Sequence, residues 1–216
     1  MKRILFCLGI LFVLGSSCTQ DRNIEEEQVI NIDPSSELMF YWNFNALVGI
    51  STAIAPDLQT SSATATISYD GTGAGFMDGD TGGYTINARN DDPAESLLKV
   101  RNPSDTRNLI FNVPTTGYRK IILQFATARS PNNGATTQNY SYSIDGINFI
   151  QTGLSKINHN TTAEIPDLIL LDFSTITEVD NNPNFKVKVS FEGATISSTS
   201  GNNRFDNVTL EGVPLL

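Results

Sequence analysis

Lys186-Val187-Lys188-Val189-Ser190-Phe191 is the stretch that decides the fold. In an extended chain Val187, Val189 and Phe191 share one side, while Lys186, Lys188 and Ser190 share the other. One face is therefore core and the other wet. Ile121-Ile122-Leu123-Gln124-Phe125-Ala126-Thr127 carries a similar alternation in mid-chain. Working outward, β-branched and aromatic runs of this kind predict strands over 38–45, 64–69, 83–88, 96–100, 108–113, 120–128, 139–144, 168–173, 185–191 and 204–211. No long stretch keeps helical periodicity. Between the runs lie Asp70-Gly71-Thr72-Gly73, Asp78-Gly79-Asp80-Thr81-Gly82-Gly83, Pro131-Asn132-Asn133-Gly134 and Asp145-Gly146, all suited to tight turns. Many short strands with such turns predict an all-β chain, a jelly-roll β-sandwich of two antiparallel sheets.

The N-terminus reads as an export signal. Lys2 and Arg3 precede an apolar run from Ile4 to Leu14, followed by Gly15, Ser16 and Ser17. The run is shorter than the roughly 20 residues a membrane span needs. Leu14-Gly15-Ser16-Ser17-Cys18 resembles a lipobox, with Gly15 where leucine is usual, and implies that Cys18 carries the lipid of an outer-membrane lipoprotein. A plain signal peptide is the other reading. The expected organisation is a signal over 1–17, lipidated Cys18 and an acidic tether over 18–36, and one sandwich domain over 37–216. Glu25-Glu26-Glu27 in the tether resembles surface-export signals of Bacteroidetes, and leaves open which side of the membrane the domain faces.

The formal charge is −9, and the signal holds two of the basic residues, so the mature chain is more acidic still. Such a chain repels phosphate backbones, which argues against nucleic acid as a partner. With Cys7 in the signal and Cys18 lipidated, the domain has no cysteine for a disulfide, a thiolate nucleophile or a zinc site. Catalytic patterns are equally sparse. His159 is the one histidine, in a polar stretch expected to be a solvated loop, and no Gly-x-Ser-x-Gly elbow accompanies it. Asp70, Asp78, Asp80 and Asp145 adjoin glycine, where aspartate makes turns, so a carboxylate pair for glycoside cleavage is the lesser expectation. An EF-hand counted from Asp78 would put Arg89 at its twelfth position.

Asn203-Arg204-Phe205-Asp206-Asn207-Val208-Thr209-Leu210 resembles the closing strand of jelly-roll carbohydrate-binding modules of the galactose-binding-like kind. Tyr41-Trp42-Asn43-Phe44-Asn45 is similar to the opening strand of related secreted Bacteroidetes domains, and Tyr140-Ser141-Tyr142-Ser143-Ile144-Asp145-Gly146 looks like their central hairpin. The resemblance implies a structural calcium held by Asp206 with Asn43 or Asn45. The alternative is that Asp206 and Asn207 bond neighbouring backbone at a sheet corner. Sugar faces need flat rings with amides and charges around them. Tyr140 and Tyr142, on one side of their strand, form a platform if that side is outward and packing if it is inward; Arg129, Asn132, Asn133 and Gln138 would surround them. Tyr69, Phe76, Tyr84 and Tyr118, with Arg101, are further candidates, and Trp42 reads as core. The leading expectation is a non-catalytic, lipid-anchored protein that binds a glycan or other surface ligand. An adhesion or assembly subunit with protein partners is the second, and a jelly-roll glycan hydrolase or lyase the third.

Overall fold

A computed structural model of the chain describes Asp33 and residues 35–216, and the signal, Cys18 and most of the tether lie outside the described residues. In chain order the strands are β1 (Glu37–Trp42), β2 (Ile50–Ser51), β3 (Ala53–Ile54), β4 (Leu58–Gln59), β5 (Thr66–Gly71), β6 (Met77–Thr81), β7 (Ser96–Arg101), β8 (Arg107–Asn112), β9 (Tyr118–Arg129), β10 (Thr137–Ser143), β11 (Asn158–Asn160), β12 (Asp167–Asp172), β13 (Lys186–Glu192) and β14 (Asn202–Pro214). They form two antiparallel sheets that stack as a jelly-roll sandwich. One runs β12-β9-β14-β7-β6-β2, with β1 between β14 and β4; the other runs β11-β10-β13-β8-β5-β3.

The inner faces follow the alternation. Val187, Val189 and Phe191 of β13 point inward, with Lys186, Lys188 and Ser190 outward. Rings bridge the two sheets: Phe125 of β9 stacks on Phe111 of β8 at 5.7 Å and meets Tyr140 of β10 edge-on at 6.1 Å. Phe205 of β14 sits 5.6 Å from Phe125 and 6.4 Å from Phe191. Each edge-on or offset contact adds about 0.5–1.5 kcal/mol to the burial itself.

β14 is the long central strand. β9 runs beside it, while its other edge is shared, Asn202 to Phe205 pairing β7 and Val208 to Gly212 pairing β1. Between these partners the register slips at residues 206–209, and Asn207 takes φ +48°.

Three expectations are corrected. Residues 83–88 form no strand but a strap across the outer face of β14, where Tyr84 N–H donates to Asp206 Oδ2 at 2.6 Å and Asn87 Nδ2 donates to the Asn207 carbonyl. The strand lies instead at Met77–Thr81, in the stretch read as a turn. Its weak β propensity is offset by cross-strand ion pairs, Asp78 with Arg101 and Asp80 with Lys99. Gly79 is required there, because a Cβ would sit 2.1 Å from the Leu47 carbonyl oxygen. His159 is likewise no loop residue: it lies on β11, half-buried, with Nε2 3.1 Å from Asp167 Oδ2.

Phe125 touches both sheets, so Phe125→Ala should lower unfolding stability by about 3–5 kcal/mol in urea denaturation. A loss below 1 kcal/mol would contradict its place at the centre of the core.

Candidate functional site

Tyr140 and Tyr142 point inward, 0% and 3% exposed, and cannot form a platform. Gln138 is fully buried with them; its Nε2 donates to Thr127 Oγ1 at 2.8 Å, and its Oε1 accepts from Tyr140 O–H at 3.1 Å. Burial pushes the Tyr140 phenol above its ordinary range. Tyr142 donates to the Thr152 carbonyl and packs edge-on against Phe173. Arg129 is spent on the carbonyls of Thr161, Ser130 and Pro131. Asn133 donates to Ser200 Oγ, and Asn132 is an exposed turn residue whose carbonyl accepts from Ser130. These six do not make one site. Trp42 is core, as expected.

Nor do the oxygens at the strand corner fit calcium. Asp206, 1% exposed, accepts from Tyr84 N–H and Asn207 N–H. Asn43 Oδ1 accepts from Asn45 N–H, and Asn45 Oδ1 from Ser96 N–H. Among the described residues no three His, Cys, Asp or Glu side chains gather as metal ligands. The corner is hydrogen-bonded shut, which is the other reading of Asp206-Asn207. Asp145 likewise makes a turn, accepting from the backbone of Ile147 and Asn148 and from Ser143, bonds that hold its carboxyl well below the usual range.

The structure does bring a different set together, around the end of β5. A hollow of about 440 Å³ opens at the rim where the two sheets meet, lined by Ile50, Ser51, Tyr69, Asp70, Phe76 and Arg107 among others. A second of about 340 Å³ lies on the outer face of the six-stranded sheet, lined by Asp70, Asn108, Ile110, Phe149, Lys186 and Lys188, with two glycines. Both include Asp70 and Gly71, so the two hollows adjoin there, and the surface they line is termed the groove. Strand register sets the second hollow, since Asp70 pairs with Asn108 and Ile110 with Lys188, and residues opposite one another project on the same face.

Two half-buried rings flank the groove, each held by a cation. The Phe149 ring lies 4.4 Å from Lys188 Nζ, and Lys186 Nζ donates to the Gly146 carbonyl of the same loop at 3.0 Å. Phe76 sits 5.7 Å from the Arg101 guanidinium, which Asp78 fixes through two 2.8 Å bonds. Arg107 lies 4.8 Å over Tyr69. Gly71 keeps this corner close: its φ is +140°, and a Cβ would lie 2.1 Å from the Thr106 carbonyl oxygen. The groove offers rings for an apolar face, Asn108 and Ser51 for hydroxyls, and one carboxylate, Asp70.

Phe76 was a candidate from sequence, but Phe149, Asn108, Lys186 and Lys188 were not. The available signal was the outward set of the β13 alternation and the aromatic that follows the Asp145-Gly146 turn.

No family model matches the chain, and no curated protein matches it significantly in sequence. Among solved structures it is similar to the CBM22-1 xylan-binding domain of Xyn10C from Paenibacillus barcinonensis, at 6% identity and a TM-score of 0.49, over 86% of this chain and 100% of that one. The CBM22-2 xylan-binding domain of the same protein is similar at 11% identity and 0.49, over 80% and 98%. TmCBM61, solved with β-1,4-galactotriose, is similar at 13% identity and 0.40, over 67% and 86%. At these identities the likeness is one of architecture alone, and the fold assignment rests on the strand topology of this chain.

Burial lifts the Asp206 carboxyl from an ordinary value of 3.8 to about 7, against the pull of its two backbone donors. The folded state therefore keeps a proton that the unfolded chain has released, and the stability this contributes is full below about pH 4 and lost as pH rises through about 7. Urea midpoints of wild type should accordingly decline from pH 4 to 7 relative to those of Asp206→Asn; parallel curves would refute the shift. Melting temperatures with millimolar calcium and with chelator should coincide, and a calcium-dependent rise would reopen the corner as a metal site.

Proposed function

We propose that the chain is a non-catalytic envelope protein that binds a glycan in the groove around Asp70. The observation that carries this reading is the groove itself, where two cation-held rings, Phe76 and Phe149, flank a strip of amide, hydroxyl and carboxylate groups. A pyranose presents an apolar face and a girdle of hydroxyls, and such a groove complements both. Asp70 is the single carboxylate lining it, and glycoside cleavage by acid and base needs two. Cys18, in its lipobox-like setting, would tether the domain to the outer membrane through lipid. A protein partner is the second reading. It is favoured by exposed Ile144, Ile147, Ile150 and Ile157, which lie close together in sequence after β10.

Affinity electrophoresis of the protein through gels containing neutral and acidic polysaccharides tests the first reading. At least one polymer should retard it, and Phe149→Ala or Phe76→Ala should weaken retardation at least tenfold, about 1.4 kcal/mol, while Tyr140→Phe leaves it unchanged. Absence of retardation, or retardation indifferent to both rings, would overturn the reading. Labelling with a fatty-acid analogue should mark the wild type and not Cys18→Ser.

A further inference from the structure

The groove gathers cations that no carboxylate among the described residues of this acidic chain neutralises. Arg89, Lys99, Arg101, Lys120 and Arg204 each meet a carboxylate, Glu211, Asp80, Asp78, Asp33 and Glu164 respectively. Among the described residues Arg119, Arg129, Lys156, Lys186, Lys188 and Arg107 meet none, and the last three line the groove. Those three, Lys186, Lys188 and Arg107, turn instead to a carbonyl, a ring, and a ring with two carbonyls. Lys186 and Lys188 line the hollow on the sheet face and Arg107 the adjoining hollow at the rim, with Asp70 common to both.

Resting on the glycan reading, we infer that the groove selects acidic polysaccharides, whose carboxylate or sulfate groups complete the pairing that Lys186, Lys188 and Arg107 lack. A compact ammonium on a flexible stem accepts either anion as a point charge. Lys186 and Lys188, two apart on β13, project on one face and would reach anionic groups on the same or neighbouring sugars, with the Phe149 ring beside Lys188. Asp70 and Asn108, paired across β5 and β8, remain for hydroxyls. An anion seated in a concavity loses less of its attraction to salt than one on an open surface, yet part of the binding should still fall as ionic strength rises.

The test compares binding of the protein to polygalacturonate and to alginate, each beside its carboxyl-reduced counterpart of identical linkage, and to chondroitin sulfate beside desulfated chondroitin. At least one charged form should bind tenfold or more tightly than its neutral counterpart, and the pair concerned tells carboxylate from sulfate. Lys186→Gln/Lys188→Gln should abolish that preference while keeping residual binding to the neutral form, and Lys186→Arg/Lys188→Arg should restore most of it. Circular dichroism and melting temperature of each variant report whether it folds. Equal binding of charged and neutral forms, or a preference that survives the glutamine variant, would overturn the charge selection and leave the glycan reading standing. If neither these polymers nor any neutral glycan binds, both fall together.

Discussion

Asn207 lets one strand serve two partners. Its φ of +48° breaks β14 between the half that pairs β7 and the half that pairs β1. The break is stabilised from several sides. Asn207 Nδ2 donates to the carbonyls of Tyr84 and Ile86, its Oδ1 accepts from Tyr41 O–H, and its own carbonyl accepts from Asn87. Asp206 beside it accepts the N–H of Tyr84 and of Asn207. A buried polar side chain costs free energy unless its partners are present, so these bonds are mutually dependent. Arg89 extends the set, pairing with Glu211 and donating its N–H to the Tyr41 hydroxyl. In this way one irregular position joins β1, β7 and the strap over β14 to the sheet.

Closing one outer face leaves the other open. The strap covers the outer side of β14, where Asp206, Thr209 and Glu211 are all buried. The outer face of the six-stranded sheet stays polar, with Thr66, Ser68, Asn112, Asn139, Ser141 and Ser190 half-buried along its strands. Its free edge toward β3 and β5 meets the rim of the other sheet, and there Asp70 belongs to both hollows at once. The loop after β10 then supplies Phe149, which the β13 lysines hold over the face. Groove and fold are thus linked: the residues that alternate inward on β13 build the core, and those between them build the wet floor.

Most of the strand plan was legible because alternation over six or more residues has one physical meaning, a sheet with one face buried. β13, β9, β8 and β14 all fall where their apolar periodicity placed them. The plan misplaced one strand. Around Met77–Thr81 the residues Asp78, Gly79 and Asp80 carry turn chemistry, and what makes them a strand is supplied from elsewhere, by Lys99, Arg101 and the close approach of the Leu47 carbonyl. Residues 83–88, apolar enough to read as a strand, find their donors and acceptors in Asp206 and Asn207 rather than in a ladder.

By itself the sequence determined which side chains travel together: Gln138 with Tyr140 and Tyr142, Lys186 with Lys188, the valines with Phe191. Period-two geometry is local, so it needs nothing but the chain. It also determined the class of fold, the acidic balance and the lack of cysteine chemistry in the domain. Which side of β10 faces inward was decided by tertiary structure, because a glutamine and two tyrosines can be buried only if distant partners satisfy them. Thr127 and the Thr152 carbonyl do so. Tertiary structure likewise decided the groove, since Asp70, Asn108, Phe149 and Lys188 lie on separate strands and loops, and only sheet register, which no single strand specifies alone, brings them to one place.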